Sequence, residues 1–353
     1  MKTFYAGLEK ELLVITETTQ GYQVTRHFKG TNPTSIAIDP KDHNIVYCTT
    51  YGNGLWKSID AGQHFEAIGQ SNSYYTPNFG NGIASAYMTA VYIDDTTNIL
   101  YVGTEQSALY YSHDEGQTFK EFEAIQSLPS KSRWQFPPRP ETHHVQAIAG
   151  SYVNNQILNV AIEFGAVIRT IDGGHTWRDD EQPSPRDIHT LRNHPMVPGR
   201  LYAACGDGML TAGHSYAESQ DDGQTWTFKS DGIKHRYLYS LAVNAHNPED
   251  IIVSAAHSAY EAHMPTNKKA TVYRKLHNEA WQLWNEGLPF EESYIHKLIA
   301  DPDKDGLFYA LNNHGLYQRH SDNESWQQLE LNWLDDYKDQ HPSFLKVVTT
   351  KDE

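Results

Sequence analysis

The sequence predicts an all-β fold, a seven-bladed β-propeller with four-stranded blades, and two observations support this prediction. A short motif recurs along the 353-residue chain, and each interval between two copies contains four short strand-like segments. These segments alternate β-branched or aromatic residues with polar ones and are separated by Gly, Asp and Asn, which is typical of strands and tight turns. Four-stranded units repeated at a regular period indicate a propeller, whose blades surround a central axis.

The recurring motif has the form S/T-x-D-x-G-x-T-W/F. Four copies are well preserved, and two degenerate copies keep only the final aromatic residue. The six copies end at Phe65, Phe119, Trp177, Trp226, Trp281 and Trp326. Their mean spacing of about 52 residues allows about seven units in the chain.

The aspartates of the motif are expected to stabilise turns rather than to catalyse. Asx side chains accept hydrogen bonds from nearby backbone N–H groups, and the glycine allows the positive φ of a tight turn. The final aromatic is expected to fill the space between two blades. We therefore assign a structural role, in the turn between the third and fourth strands, to Asp60, Asp114, Asp172 and Asp221.

The two ends of the chain are predicted to share one blade. Six first strands are recognised inside the chain, beginning near Ser35, Ala90, Ala147, Thr190, Ser240 and Lys297. Residues 3–28 contain only the last three strands of a unit, and residues 344–350 contain one leftover apolar strand. Placing that strand beside the other three gives a seventh blade, so that residues 1–353 form a single propeller domain. Closure of this kind removes the open sheet edges.

The repeated motif resembles the Asp-box, or BNR repeat, of the sialidase-like propeller superfamily. The resemblance implies the fold and implies that the motif turns lie on the face away from the active site. It leaves the function open, because such propellers include sialidases, other glycan-active enzymes, sorting receptors and assembly factors. It argues against a sialidase, since the Arg-Ile-Pro element of that family is absent. In some polysaccharide-lyase propellers, His and Tyr move the protons, which keeps a lyase among the alternatives.

Composition excludes several classes of partner. The formal net charge is −16 with no basic block, which disfavours nucleic acid and anionic membrane surfaces. Mean hydropathy is −0.64, and neither a spanning segment nor the apolar core of a signal peptide is recognised. Two distant cysteines, Cys48 and Cys205, do not suggest a disulfide framework. We expect a cytoplasmic monomer with both thiols reduced and buried in second strands.

Loop lengths point to one face of the propeller as the functional one. The turns between first and second strands are short, whereas several connections on the opposite face are long, namely 69–86, 123–143, 206–218, 257–271 and 331–343. Long loops on a rigid scaffold are where binding and catalysis concentrate. This face is therefore expected to carry a funnel at the mouth of the central channel.

Two columns of residues at the starts of the first strands are expected to line that funnel. One column contains Thr34, Thr89, Gln146, His189, Tyr239 and His296. The other contains Asn32, Tyr87, His144, Asp187, Tyr237 and Tyr294. All twelve are polar or Tyr, whereas core-facing positions would carry Leu, Ile or Val.

These columns and their neighbours supply the candidate site. The catalytic candidates are His144, His189, Tyr237, Tyr239, His296, Asp187 and Glu163, with His for acid–base work and a carboxylate to orient it. The candidates for substrate binding are Arg186, Arg236, Tyr87, Tyr294, Gln146, Asp207 and His257. No cofactor is certain, but a divalent metal held by His144, His189 and His296 is a further hypothesis. A hydrated polar channel without chemistry is the alternative.

Two functions follow as hypotheses. The first is a glycan- or small-anion-active enzyme, a hydrolase or lyase, that binds a small polar or sugar-like ligand in the funnel. The second is a non-catalytic scaffold for protein–protein interaction or assembly, which would expose an aromatic rim. The residues proposed for that rim are Tyr74, Tyr75, Phe79, Trp134 and Phe136.

Overall fold

The computed structural model of the chain describes residues 1–68, 82–179 and 183–349. Its 28 strands form seven four-stranded antiparallel sheets. The first strand of each sheet contacts the first strands of both neighbouring sheets, so the seven blades close into a ring around a central channel. The prediction of a seven-bladed propeller is therefore confirmed.

The strands follow one another in the predicted order. The chain starts with three strands of blade 7, β1 (Lys2–Leu8), β2 (Glu11–Thr18) and β3 (Gly21–His27). Blade 1 contains β4 (Pro33–Ile38), β5 (Val46–Thr50), β6 (Gly54–Ser58) and β7 (Glu66–Ile68). Blade 2 contains β8 (Met88–Ile93), β9 (Leu100–Thr104), β10 (Leu109–Ser112) and β11 (Lys120–Glu121). Blade 3 contains β12 (Val145–Gly150), β13 (Leu158–Ile162), β14 (Ala166–Thr170) and β15 (Arg178–Asp179).

The second half of the ring repeats this arrangement. Blade 4 contains β16 (Ile188–Asn193), β17 (Leu201–Cys205), β18 (Tyr216–Ser219) and β19 (Thr227–Phe228). Blade 5 contains β20 (Tyr237–Asn244), β21 (Asn247–Ala256), β22 (Thr271–Leu276) and β23 (Gln282–Leu283). Blade 6 contains β24 (Lys297–Ala300), β25 (Leu307–Asn312), β26 (Gly315–His320) and β27 (Gln327–Gln328). The last strand is β28 (Pro342–Thr349).

Within residues 1–68, 82–179 and 183–349, helical structure is confined to the loops. One short α-helix, α1 (Ala259–His263), lies between β21 and β22. Four 3-10 turns cover Glu123–Ser127, Pro129–Arg133, Asp207–Met209 and Asp335–Tyr337. Among the described residues, none of these helices has the length and apolar character needed to cross a bilayer.

The last strand closes the ring as the sequence predicts. β28 pairs antiparallel with β1, from Lys2 opposite Thr349 to Leu8 opposite Pro342. It thereby becomes the innermost strand of blade 7 and contacts the innermost strands of blades 1 and 6. Its inward side chains, including Leu345 and Val347, join a hydrophobic core shared by blades 6 and 7.

The hydrophobic cores lie between blades and include the aromatic residues of the motif. Trp226 packs in a core formed by blades 3 and 4, and Trp281 in a core formed by blades 4 and 5. Trp177 and Trp326 are buried in the same manner. The expected role of these aromatics as fillers between blades therefore holds at these positions.

The motif turns have the expected hydrogen bonds. In the third copy, the Thr170 hydroxyl donates to Asp172 Oδ1 (2.8 Å) and accepts from the Gly174 N–H (2.9 Å). Asp172 Oδ1 also accepts from the backbone N–H of Thr176 (2.9 Å), and Oδ2 accepts from its hydroxyl (2.6 Å). Gly174 has a φ of 91°, which explains why glycine recurs there. Hydrogen bonds from Thr176 lower the pKa of Asp172 to about 2.

Replacing Asp172 by Ala is expected to lower the free energy of unfolding by about 0.5–2 kcal/mol, the usual cost of losing a backbone cap. The funnel should be unaffected, because antiparallel strands place the motif turns at the opposite end of the blades. Denaturant unfolding with far-ultraviolet circular dichroism measures the change, and exposed Asp303→Ala is the matched control. Equal stability of the two variants would contradict the capping role.

Both cysteines are free and buried, in β5 and β17 of different blades. Burial raises the pKa of both thiols, which keeps them protonated and poorly nucleophilic. The prediction that both thiols are buried in second strands is therefore confirmed.

A ring of side-chain hydrogen bonds joins successive blades around the channel mouth. The first strands of blades 1 to 4 each contain a β-bulge, and the bulged residues are Thr34, Thr89, Gln146 and His189. Each of them donates to a backbone carbonyl in the next blade: Met88 O (2.8 Å), Val145 O (2.6 Å), His189 O (3.3 Å) and Leu238 O (2.6 Å). We call these four contacts the blade clasps. They give the polar column a structural role as well as a place at the funnel.

Candidate functional site

A cavity of about 900 Å³ occupies the centre of the ring and opens between the long loops. Its wall contains the first strands of six blades and residues of blade 7. Four of the five long connections contribute, through residues such as Phe136, Met209, Ala259 and His341. The fifth connection, which includes Tyr74, Tyr75 and Phe79, lies almost wholly outside the described residues.

Two histidines and two carboxylates meet on one side of this cavity, and we call this group the funnel cluster. His144 Nε2 lies 2.8 Å from Glu163 Oε2. His189 Nε2 lies 3.7 Å from Glu163 Oε1 and 3.5 Å from Asp187 Oδ1. The residues come from the starts of β12 and β16 and from the loop after β13, so the packing of blades 3 and 4 brings them together.

The funnel cluster is charged at neutral pH. Burial opposes the protonation of His189, but Asp187 and Glu163 outweigh it and raise its pKa to about 9. Burial likewise opposes the protonation of His144, and Glu163 raises its pKa above the ordinary value. Burial also disfavours the ionised form of Glu163, yet His144 and His189 hold its pKa below the usual range. The cluster therefore contains an imidazolium ion at His189 beside an ionised Glu163.

A relay of hydrogen bonds extends from His189 across the funnel. The Tyr237 hydroxyl lies 3.3 Å from His189 Nε2 and 2.8 Å from His263 Nε2. His263 Nδ1 lies 2.7 Å from His341 Nε2, and His341 Nδ1 lies 2.8 Å from the carbonyl of Pro342. Burial lowers the pKa of His263 and His341, so both are neutral.

The carbonyls of Pro342 and Leu238, at the two ends of this relay, determine which atom donates in each hydrogen bond. Pro342 O must accept, so His341 carries its proton on Nδ1 and accepts at Nε2 from His263. By the same reasoning His263 accepts from the Tyr237 hydroxyl. The Leu238 carbonyl requires a proton on His189 Nδ1, which agrees with a doubly protonated His189. The relay therefore supports the imidazolium form of His189.

Aromatic rings and one ion pair shape the mouth of the cavity. Glu105 accepts from Arg139 (2.9 Å) and from the Thr142 hydroxyl (2.6 Å). The Arg139 guanidinium lies over the rings of Tyr51 (5.2 Å) and Phe136 (5.4 Å). This half-exposed surface combines flat apolar faces with fixed polar groups, which suits a polar ring-shaped ligand.

The structure places most predicted catalytic residues at the cavity. His144, Glu163, Asp187, His189, Tyr237 and Tyr239 all line it, as does Gln146 from the binding set. Their roles stay predictions, because lining a cavity is not a test of catalysis.

His296 is the clear correction. It is fully buried, makes no hydrogen bond among the described residues and does not line the cavity. Burial, together with repulsion from His314, lowers its pKa to about 3, so it is a neutral core histidine. In blade 6 the neighbouring Lys297 faces the channel instead. The reason is register: β24 pairs with β25 without the bulge that blades 1 to 4 contain.

Most of the predicted substrate-binding residues also lie outside the cavity. Tyr87 is half-exposed and packs on Tyr51 (ring centroids 4.9 Å apart), and buried Tyr294 packs on His341 (5.0 Å). The remaining four do not line it either, and they are Arg186, Arg236, Asp207 and His257. Asp207 accepts the backbone N–H groups of Arg186 and Asp187, so it fixes a loop. His257 stacks on His235 (4.0 Å) near the surface.

The predicted aromatic rim is also corrected where the structure describes it. Trp134 is buried, and its indole N–H donates to Ser130 Oγ (2.9 Å), so it belongs to the core. Phe136 does face the cavity. Five further residues line the cavity without having been assigned a catalytic or binding role from the sequence, namely Glu105, Arg139, His263, Lys297 and His341. Of these, Arg139, His263 and His341 lie in the long connections.

The three-histidine metal site does not form, because His296 lies apart from His144 and His189. Among the described residues, Glu163, Asp187 and His189 do form a group whose ligand atoms all lie within 4.8 Å of one another. A metal there would need His189 Nε2 to lose the proton that its two carboxylate neighbours stabilise. Metal binding and the imidazolium form of His189 are therefore alternative uses of the same atoms.

The seven-bladed ring and its funnel define the class of protein, a propeller with a charged polar cavity. Comparisons with known proteins show which propellers it resembles. No protein-family model matches the chain. A xyloglucanase of Hypocrea jecorina is 26% identical over 213 residues, 54% of this chain and 25% of its own length. Xyloglucanase Xgh74A of Acetivibrio thermocellus is 29% identical over 160 residues, 40% of this chain and 17% of its own. The chain thus spans a quarter or less of these curated relatives.

Solved structures show the same fold. A GH74 enzyme of Niastella koreensis has a TM-score of 0.62 at 16% identity, covering 92% of this chain and 53% of that one. An ancestral GH74 enzyme has the same TM-score, covering 84% and 38%. YCF48 bound to D1 peptide has a TM-score of 0.57 at 15% identity, covering 87% and 82%. At these identities the likeness establishes the propeller architecture.

Proposed function

We propose that this protein is a glycan-active hydrolase whose reacting groups are the funnel cluster. The observation that carries the proposal is a protonated His189 and an ionised Glu163 that face the same cavity, 3.7 Å apart. Hydrolysis of a glycosidic bond needs an acid to protonate the leaving oxygen and a carboxylate to activate water or attack the sugar. The xyloglucanase relatives support a glycan substrate, and the mouth formed by Tyr51, Phe136 and Arg139 suits one.

Each member of the funnel cluster has a distinct proposed role. His189 donates its Nε2 proton to the leaving oxygen as the glycosidic C–O bond breaks. Glu163 accepts a proton from the water whose oxygen bonds to the sugar carbon. The proton then passes from Glu163 to His189, which restores both groups. His144 positions Glu163 through their 2.8 Å contact, and Asp187 keeps His189 protonated.

The contacts of His189 support these roles. Asp187 Oδ1 lies 3.5 Å from His189 Nε2, so Asp187 acts through the imidazole. Glu163 Oε1 lies 3.7 Å from the same nitrogen, so the acid and the base reach the same face of a sugar. In this proposal water therefore enters on the face from which the leaving group has departed.

The wild-type protein is expected to release reducing ends from xyloglucan or a related β-glucan. Glu163→Gln should lower the rate at least about 100-fold, the usual contribution of a positioned acid or base. Exposed Glu66→Gln is the matched control and should keep full activity. Activity should fall as pH rises through about 9, because His189 then loses its proton.

Three outcomes would contradict the proposal. The first is a wild-type protein that releases no reducing ends from neutral or acidic polysaccharides. The second is Glu163→Gln with the rate of the control. The third is an unsaturated uronide product, detected by its ultraviolet absorbance, which would identify a lyase instead.

A second candidate is a peptide-binding scaffold, favoured by the length match with YCF48 bound to D1 peptide, which covers 82% of that chain. GH74 neighbours are covered only to 53% or less. A complementation experiment in cells that lack the protein distinguishes the scaffold from the hydrolase. Glu163→Gln should restore the normal phenotype if the protein is a scaffold and should fail if it is a hydrolase.

A further inference from the structure

Three basic side chains from three blades line the central channel in addition to the funnel cluster. Arg192 lies near the end of β16, Lys297 at the start of β24 and Lys346 in the middle of β28. These are the innermost strands of blades 4, 6 and 7. A channel wall can carry neutral polar groups, but three cations on the wall of one channel call for an explanation.

None of the three has an ion-pair partner among residues 1–68, 82–179 and 183–349. Arg192 donates only to the Leu191 carbonyl, at 3.4 Å. Lys297 Nζ lies 4.0 Å from the centroid of the Tyr239 ring, and the Lys346 ammonium group makes no hydrogen bond within the described residues. We call these residues the channel cations.

Enclosed guanidinium groups elsewhere in the described chain have polar partners. Arg200 bonds to Glu218 (3.0 Å), and Arg274 bonds to Asp250 (2.7 Å). Buried Arg319 donates to the carbonyls of Asn323 (3.1 Å) and Trp284 (3.2 Å). Such partners are expected because an enclosed charge without them is costly. The channel cations lack comparable partners, in a protein whose net charge is −16.

Burial and Arg192 both disfavour the charged forms of the two channel lysines. Burial lowers the pKa of Lys297 to about 7 and that of Lys346 to about 8, and Arg192 repels both ammonium groups. The nearest carboxylates do not neutralise them. Glu163 faces Lys297 but is held by His144, and Asp95 faces Lys346 but accepts from the Tyr152 hydroxyl.

We propose that the channel cations form a binding site for a small oxyanion. Arg192 would supply the N–H groups that the protein leaves unused, and the two lysines would supply charge from the opposite wall. The oxyanion is either free, as sulfate or phosphate, or an acidic group carried by a sugar that enters through the funnel. The site is independent of the proposed hydrolysis, because none of the channel cations takes part in that reaction.

Sulfate is the probe for a free oxyanion, since its charge is constant between pH 5 and 9. Isothermal titration calorimetry at constant ionic strength is expected to show one sulfate per protein. Lys297→Met and Lys346→Met should each weaken binding at least about tenfold, and exposed Lys120→Met should not. At pH 8 binding should take up protons, because an anion raises the pKa of both lysines, and the heat should then depend on the buffer.

The test for a sugar-borne oxyanion compares the binding of glucuronate with that of glucose at the same concentrations. Glucuronate that binds through Lys297 and Lys346 identifies a sugar-borne oxyanion, whereas binding of sulfate alone identifies a free one. Glu163→Gln should bind sulfate as well as the wild type or better, since a nearby negative charge is removed. That variant separates failure of the hydrolase proposal from failure of this one.

The variants are expected to fold, because loss of an unpaired enclosed cation should raise the melting temperature when no oxyanion is present. The proposal is overturned if neither sulfate nor glucuronate binds. It is also overturned if binding is the same in the wild type, in Lys297→Met and in Lys346→Met. Arg192→Gln provides a third test of the same site.

Discussion

Removal of residues 341–353 is expected to unfold the protein. The strand that is lost, β28, contains four apolar residues that are at most 9% exposed, namely Phe344, Leu345, Val347 and Val348. Burial of each contributes about 1.5–3 kcal/mol, so their loss removes about 6–12 kcal/mol. That is comparable to the whole stability of a typical domain, about 5–15 kcal/mol. The truncation would also open the ring between blades 1 and 6.

Circular dichroism and analytical ultracentrifugation measure this outcome. A synthetic peptide of residues 341–353, added in trans, should restore the melting transition by pairing with β1. A scrambled peptide of the same composition is the matched control. A truncated protein that melts within a few degrees of the full chain would show that β28 does not hold the ring together.

The contribution of His189 to stability is expected to fall by about 3 kcal/mol between pH 6 and pH 10. Its pKa is raised from 6.5 to about 9 in the folded protein, and 1.36 kcal/mol corresponds to each unit. A group whose pKa is raised by folding stabilises the folded state fully at pH values below its pKa in the unfolded chain. That stabilisation is lost as pH rises through the folded value, because the folded state then releases the proton that Asp187 and Glu163 had favoured.

The measurement has to be a difference between two proteins. Lys297 and Lys346 have lowered pKa values and titrate in the same range with the opposite sign, so total stability does not isolate His189. Denaturant unfolding of the wild type and of His189→Gln at both pH values removes their contribution. The stability difference should shrink by about 3 kcal/mol on going from pH 6 to pH 10. A difference that is constant with pH would mean that His189 is neutral in the folded protein.

The fold was predictable from the sequence because its signals are local. Each motif copy fixes a turn through its own hydroxyl, carboxylate and glycine, as Thr170, Asp172 and Gly174 illustrate. The order of blades then follows from the chain order. Even the shared seventh blade was predictable, since three strands at one end and one at the other make four.

The site was predictable only in part, because the facing of a strand residue depends on register. Residues at the bulges of blades 1 to 4 were placed correctly at the channel mouth, and His189 is one of them. Blade 6 has no bulge at that point, and a shift of one residue turns a side chain to the other face. His296 therefore lies in the core, and Lys297 takes the channel position. The hydrogen bonds of His263 and His341 were not predicted, because only tertiary folding carries their loops to Tyr237.

The blade clasps affect how freely the sequences of neighbouring blades can change. Each clasp uses a side chain on one blade and a backbone carbonyl on the next, as when Thr34 donates to Met88 O and Thr89 donates to Val145 O. Every residue type supplies a carbonyl, so the receiving blade needs no matching side chain. A duplicated blade could therefore be accepted beside any other without a compensating substitution, and its own sequence would be free to diverge. One clasp, His189, carries a positive charge while it joins blades 4 and 5.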